Sequence, residues 1–190
     1  MLKQTLPFII LDRDGVINYD SDEYIKSPDE WRPIPGSLDA IAQLNRAGFR
    51  VLIATNQSGV ARGHYDLDML SNIHEKLIRE LAAHGGYIEE IFFCPHHPEE
   101  GCVCRKPKPG LLHQIAEKYG VNLGETFFIG DSHVDIQAAQ AAGCKPLLVM
   151  TGNGEKVRER HPELFITIPS FADLASAVEF VLLQQGSSHD

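Results

Sequence analysis

Two aspartates close the first apolar run of the chain: Phe8-Ile9-Ile10-Leu11 is followed by Asp12-Arg13-Asp14-Gly15. In extended backbone, residues i and i+2 point to the same side, so the two carboxylates would share one site. They cannot both stay ionised there unless a cation lies between them or one holds a proton. Complementary groups follow later apolar runs: Thr55-Asn56-Gln57-Ser58-Gly59, then Arg105-Lys106 ahead of another helix, then Gly130-Asp131-Ser132 with Asp135 just beyond. Mg2+ takes a few carboxylates together with water and substrate phosphate. A lysine ammonium and a threonine hydroxyl suit phosphate oxygens whose charge grows in a transition state. A carboxylate becomes a competent nucleophile once a metal and a lysine offset phosphate repulsion. The second carboxylate can serve as acid if the first raises its proton affinity. Taken singly, each residue has a plain structural use as a cap, a turn or a solvated charge. Together, each at a strand-to-helix junction, they describe a phosphoryl-transfer site.

A second cluster reads Cys94-Pro95-His96-His97, then Cys102-Val103-Cys104-Arg105-Lys106. Cys94, His96, Cys102 and Cys104 offer three thiolates and an imidazole, a closed tetrahedral set for structural Zn2+. Cys102 and Cys104 are too close in sequence to bridge each other comfortably. His97 is expected to be an exposed neighbour of the ligand set, and Cys144 a small buried hydrophobe. Zinc here would stiffen the loop that carries Arg105 and Lys106.

These groups need a scaffold that brings strand ends to one edge. Apolar runs at PFIILD, RVLIATN, IEEIFFCP, TFFIGD, KPLLVMTG and FITIP alternate with helix-period segments. The helices are expected over GSLDAIAQLNRAGF, Asp66 to His84, PGLLHQIAEKYG, VDIQAAQAAG and SFADLASAVEFVLLQQ, with a polar tail behind the last. Near-continuous apolar strands separated by helices indicate a doubly wound α/β fold, with a mostly parallel sheet covered on both faces. Sites in such folds lie beyond the carboxyl ends of the strands. Two stretches look structureless, Asn18 to Pro35 and Cys94 to Pro109, and long loops in compact domains are commonly functional.

The chain of 190 residues is expected to form a single domain over 1–190, with 43% apolar and 23% charged residues. A net charge of −9 argues against a nucleic-acid partner. No apolar run reaches the roughly 18 residues of a membrane span, and the amino-terminal stretch does not read as a signal peptide. The expected location is the cytoplasm, where cysteines serve as thiols or metal ligands.

DRDGVI, ATNQSG, RKPKPG and IGDSHVD, in that order between Leu11 and Asp135, resemble the four motifs of the haloacid dehalogenase superfamily of phosphohydrolases. The resemblance implies two-step transfer through an aspartyl-phosphate. Asp12 would be the nucleophile, and Asp14 the acid and then the base. Thr55 and Lys106 would hold the phosphoryl group. Mg2+ would bind Asp12, Asp131 and the main-chain carbonyl of Asp14, with Asp135 supporting from behind. Within the superfamily, a zinc-bearing loop of this kind occurs in heptose bisphosphate phosphatases and in histidinol-phosphate phosphatases. NQSGVARG and CPHHP followed by CRKPKPG resemble the heptose group, which implies removal of the 7-phosphate of a heptose 1,7-bisphosphate in nucleotide-heptose synthesis. Ser132 stands where members of that group carry a lysine. With no separate cap domain, a phosphorylated sugar would be selected by Asp20, Asp22, Asn56, Gln57, Ser58, Arg105, Lys106 and Ser132. Arg105, or Arg62, would meet a second phosphate. The acidic residues Asp20, Asp22 and Glu23 would instead suit the cationic substrate of a histidinol-phosphate phosphatase. A monomer with an open site is expected.

Overall fold

The computed structural model describes residues 6–186. Six strands, β1 (Phe8–Leu11), β2 (Arg50–Asn56), β3 (Glu90–Cys94), β4 (Phe127–Gly130), β5 (Lys145–Val149) and β6 (Ser170–Phe171), form one sheet. Their order is β3-β2-β1-β4-β5-β6, and every pairing is parallel. The strand order therefore reverses between β1 and β4, which opens a crevice beyond their carboxyl ends.

Alternation along the strands divides the core between two faces. Ile9, Leu11, Val51, Ile53, Ile129 and Val149 pack against α1 (Ser37–Arg46), α2 (Leu67–Ala83) and α6 (Leu174–Gly186). Ile10, Leu52, Ala54 and Phe128 face α3 (Gly110–Tyr119) and α4 (His133–Ala142). Each fully buried large aliphatic contributes roughly 1.5–3 kcal/mol. The central strands are thus clamped from both sides, and their ends form a stiff platform for polar side chains. No separate cap domain is inserted among the described residues.

Several local expectations change. FITIP is not a strand: Pro162–Ile166 form a 3₁₀ turn, Ile166 is exposed, and the final strand is the shorter Ser170–Phe171. Pro169 lacks the N–H a ladder needs, while its carbonyl accepts from Leu148. The short helix α5 (Gly154–Arg160) has a single buried aliphatic, Val157, and so showed no apolar period. The two long loops are not structureless. Each contains a 3₁₀ turn, at Pro28–Glu30 and Pro98–Glu100. The first is pinned by the fully buried Trp31 and by Lys76 Nζ, which donates to the Pro28 and Trp31 carbonyls at 2.7 and 2.9 Å. The polar tail beyond residue 186 lies outside the described residues. Among the described residues, no helix is long and apolar enough to cross a membrane.

Candidate active site

A cleft of about 330 Å³ opens where β1, β2 and β4 end, and Asp12, Asp14, Thr55, Lys106, Asp131 and Asp135 all line it. A wider depression beside β6, bounded by Met150, Phe165 and Phe171, holds none of these groups.

Lys106 is buried at the centre. Its Nζ lies 2.9 Å from Asp12 Oδ1 and 2.6 Å from Asp135 Oδ1, and it donates to the Ala54 carbonyl at 2.9 Å. Burial alone would favour its neutral form, but the Asp12 and Asp135 charges outweigh it and hold its pKa above the usual lysine value. Burial, then the nearby Asp135 charge, pushes the Asp12 carboxyl up to about 7. Asp131 is raised well above the usual range, again by burial first and then by Asp135 and Asp12.

Asp12, Asp131 and Asp135 can bring one oxygen each within 4.8 Å of one another. Three buried carboxylates face one buried lysine, and this excess of negative charge is what a divalent cation offsets. The hydrogen bonds sort the three by role. Asp135 is engaged at both oxygens, with Lys106 at Oδ1 and the Ser132 hydroxyl donating to Oδ2 at 2.5 Å. Asp12 uses Oδ1, which accepts from the Arg13 main-chain N–H at 2.7 Å. Asp131 uses Oδ2, which accepts from the Asn153 main-chain and side-chain N–H groups at 2.7 and 3.1 Å. Asp12 Oδ2 and Asp131 Oδ1 thus remain open to a metal. Asp131 is seated by two glycines. A Cβ on Gly15 (φ 79°) or on Gly152 (φ 59°) would come within 2.2 Å of its Oδ2. The residues present fit Mg2+.

Asp14 lines the same cleft as Asp12, but its side chain is held by other partners. The strand ends at Leu11, so strict two-residue alternation no longer applies. Arg13, fully buried, donates to Asp14 through Nε and one terminal nitrogen, each at 2.9 Å. Asn18 and Gln57 side-chain N–H groups add bonds of 2.8 Å each. The Asp14 side chain is therefore held by four side-chain N–H bonds, outside the Asp12, Asp131 and Asp135 group.

The second cluster is equally tight. Cys94 Sγ lies 3.2 Å from Cys104 Sγ and 3.6 Å from Cys102 Sγ. His96 Nδ1 lies 3.5 Å from Cys94 Sγ and 3.2 Å from Cys104 Sγ. Ligands held tetrahedrally on Zn2+ would be separated by roughly 3.5–3.8 Å, so the set is compatible with that ion. All four cysteines are free of disulfides. His97 instead caps the Pro98–Glu100 turn, and Cys144 is buried, its thiol pushed up to about 12 by burial.

Of the residues expected to meet substrate, Asp20, Asp22, Asn56, Gln57, Ser58, Arg105 and Ser132 line the cleft, whereas Arg62 is exposed and outside it. Their side chains are not equally free. Asn56 exchanges two 3.1 Å bonds with the Lys106 main chain, and Ser132 caps α4. The Gln57 amide is wholly occupied by protein partners, so a direct substrate contact there is replaced by an internal role. One terminal nitrogen of Arg105 is buried without a hydrogen-bond partner among the described residues. Sequence reasoning missed Arg13, Asn18, Tyr65 and Asn153. Asn153 follows the end of β5 and was open to the same strand-end rule. Tyr65, in a turn-rich loop, offered no such signal.

The model of the haloacid dehalogenase-like hydrolases matches residues 2–143. The D-glycero-beta-D-manno-heptose-1,7-bisphosphate 7-phosphatase of Pseudomonas putida is 53% identical over 171 residues, 90% of this chain and 98% of that protein. The Bordetella bronchiseptica protein of the same name is 56% identical over 151 residues, 80% of this chain and 84% of that one. A crystal structure of D,D-heptose 1,7-bisphosphate phosphatase from B. bronchiseptica, complexed with magnesium and phosphate, matches with a TM-score of 0.90 at 50% identity. It covers 94% of this chain and 99% of that one. The ordered strand-end motifs, the shared sheet and a family match over residues 2–143 lead to one conclusion: the chain belongs to the haloacid dehalogenase-like hydrolases.

Proposed function

We propose that this chain is a Mg2+-dependent phosphatase that removes the 7-phosphate of D-glycero-D-manno-heptose 1,7-bisphosphate. The observation that carries the reading is the buried Lys106 between Asp12 and Asp135, at the floor of a cleft whose chain is 53% identical to a relative of that name. The names of the relatives favour the β anomer. Such a reaction serves the making of nucleotide-activated heptose for the lipopolysaccharide core, which suits a cytoplasmic monomer.

Asp12 attacks phosphorus, a new P–O bond forms to its carboxylate, and the bond to the sugar oxygen breaks. Asp14 gives a proton to that oxygen, then takes one from the water that attacks the aspartyl-phosphate and frees inorganic phosphate. Thr55 and Lys106 hold the phosphoryl oxygens through both steps. Asp12, Asp131 and the Asp14 main-chain carbonyl would hold Mg2+, which would supply positive charge against the growing negative charge of the phosphoryl group. Asp135 keeps Lys106 in place. Arg105, with an unpartnered buried nitrogen, is the candidate for the second phosphate.

Histidinol phosphate is the competing substrate, because Asp20 and Asp22 line the rim and would attract its ammonium. Phosphate release from the two substrates, measured after EDTA treatment and again with Mg2+ restored, decides between them. The expected result is no turnover without metal and a kcat/KM for the heptose bisphosphate higher by about 100-fold or more. Turnover without metal, or the opposite substrate order, would overturn the proposal.

A further inference from the structure

Gln57 is 2% exposed, and every hydrogen-bonding valence of its amide is used. Nε2 donates to Asp14 Oδ2 at 2.8 Å and to Thr55 Oγ1 at 3.0 Å. Oε1 accepts from an Arg13 guanidinium nitrogen at 3.1 Å and from the Tyr65 hydroxyl at 2.8 Å. The Arg13 guanidinium can only donate, and the Asp14 oxygen opposite it accepts, so these two partners set the orientation of the amide and the two hydroxyls conform to it. Rotated by half a turn, it would set its oxygen against a carboxyl oxygen and its NH2 against a guanidinium. Tyr65 is itself fixed, because its ring lies over Gly59, where even a Cβ would come within 2.3 Å of it.

We infer that Tyr65 and Gln57 form a positioning relay that aligns Asp14 and Thr55 together, without touching substrate. The inference rests on the phosphatase reading given above. With its oxygen accepting from Gln57, Thr55 keeps its hydroxyl proton for a phosphate oxygen. The same amide pins the Asp14 oxygen at a set distance from that hydroxyl. Tyr65 locks the amide's direction, and burial keeps its phenol protonated, with the pKa pushed up to about 12. One amide thus couples the group that holds phosphate to the group that moves the proton. The Tyr65 hydroxyl reaches both through Gln57.

A double-mutant cycle on the full-length, Mg2+-loaded enzyme tests this, with steady-state kinetics on heptose 1,7-bisphosphate and thermal melting of each variant. Tyr65→Phe is expected to lower kcat by about 10-fold and Gln57→Met by about 100-fold, since positioned proton transfer contributes about 10²–10⁴. KM should move by less than about 3-fold in either. The double variant should lose no more than Gln57→Met alone, because the Tyr65 hydroxyl bonds to the Gln57 amide. Should Gln57→Met not fold, Gln57→Glu replaces it, keeping the shape while turning an acceptor toward Asp14 and Thr55. Losses that multiply in the double variant, or a Tyr65→Phe effect confined to KM, would overturn the relay. Wild-type enzyme inactive on this ester would overturn the phosphatase reading instead, so the two failures are told apart.

Discussion

Asp12→Asn should abolish turnover, by about 10³-fold or more, without lowering the melting temperature of the metal-free protein. The first half follows from chemistry: an amide oxygen is a poor nucleophile and cannot form the aspartyl-phosphate. The second half follows from the electrostatics of the cleft. Asp12 goes from 3.8 to about 7 on folding, by burial first and then by the Asp135 charge. A group raised on folding binds its proton more tightly in the native state. Its contribution to stability is therefore full below the unfolded value and lost as pH rises through about 7. At pH 8 and without metal, ionised Asp12 burdens the native state. The neutral amide of the variant relieves that burden, while Lys106 keeps Asp135. The variant should melt level with wild type, or higher by roughly 2–4 °C, and the difference should close toward pH 5. With Mg2+ added, wild type should gain stability and the variant should gain little. Residual activity near wild type would remove Asp12 as nucleophile. A large loss of metal-free stability at pH 8 would contradict the charge accounting.

The other large effect is expected at the zinc loop. Elemental analysis should find about one zinc per chain. Removing it with a strong chelator, or making Cys104→Ser, should lower the melting temperature by roughly 5–15 °C. Cys94 ends β3, Cys104 lies two residues before Lys106, and the Asn56 side chain ties the Lys106 main chain to the end of β2. Without the ion, three thiols and an imidazole packed within 4.8 Å have nothing to hold them together, and the segment carrying Arg105 and Lys106 loosens. Activity should fall along with stability, although none of these four side chains lines the cleft. Protein purified with thiols protected, free of zinc and fully stable, would contradict this reading.

Much of this molecule was legible in one sequence, because its motifs sit where periodicity changes. An apolar run that gives way to polar residues at Asp12, Thr55 or Asp131 announces both the end of the strand and the polar group placed there. The same logic drew the parallel sheet, since the central apolar runs of β1, β2 and β4 are buried on both faces. FITIP deceived because apolar residues in a 3₁₀ turn at the sheet edge can imitate alternation over so short a span. α5 escaped because one aliphatic makes no period. The site residues that escaped did so for different reasons. Arg13 and Asn18 bond the nearby Asp14 and Asn153 follows the end of β5, so all three lay within reach of the strand-end rule, whereas Tyr65 meets Gln57 from a turn-rich loop that no local spacing encodes. Gln57 was placed at the site by sequence, which shows an amide there but not that all four of its bonds go to protein partners.

Covalent chemistry at Asp12 is tested most directly by trapping it. Asp14→Asn removes the base for the second step, while 4-nitrophenyl phosphate, with its good leaving group, spares the first step its acid. Rapid acid quench followed by peptide mass spectrometry should then find one phosphoryl group on the peptide bearing Asp12, formed in a burst equal to the enzyme present. Phosphate release with no phosphorylated intermediate, or a phosphoryl group on any other residue, would contradict it.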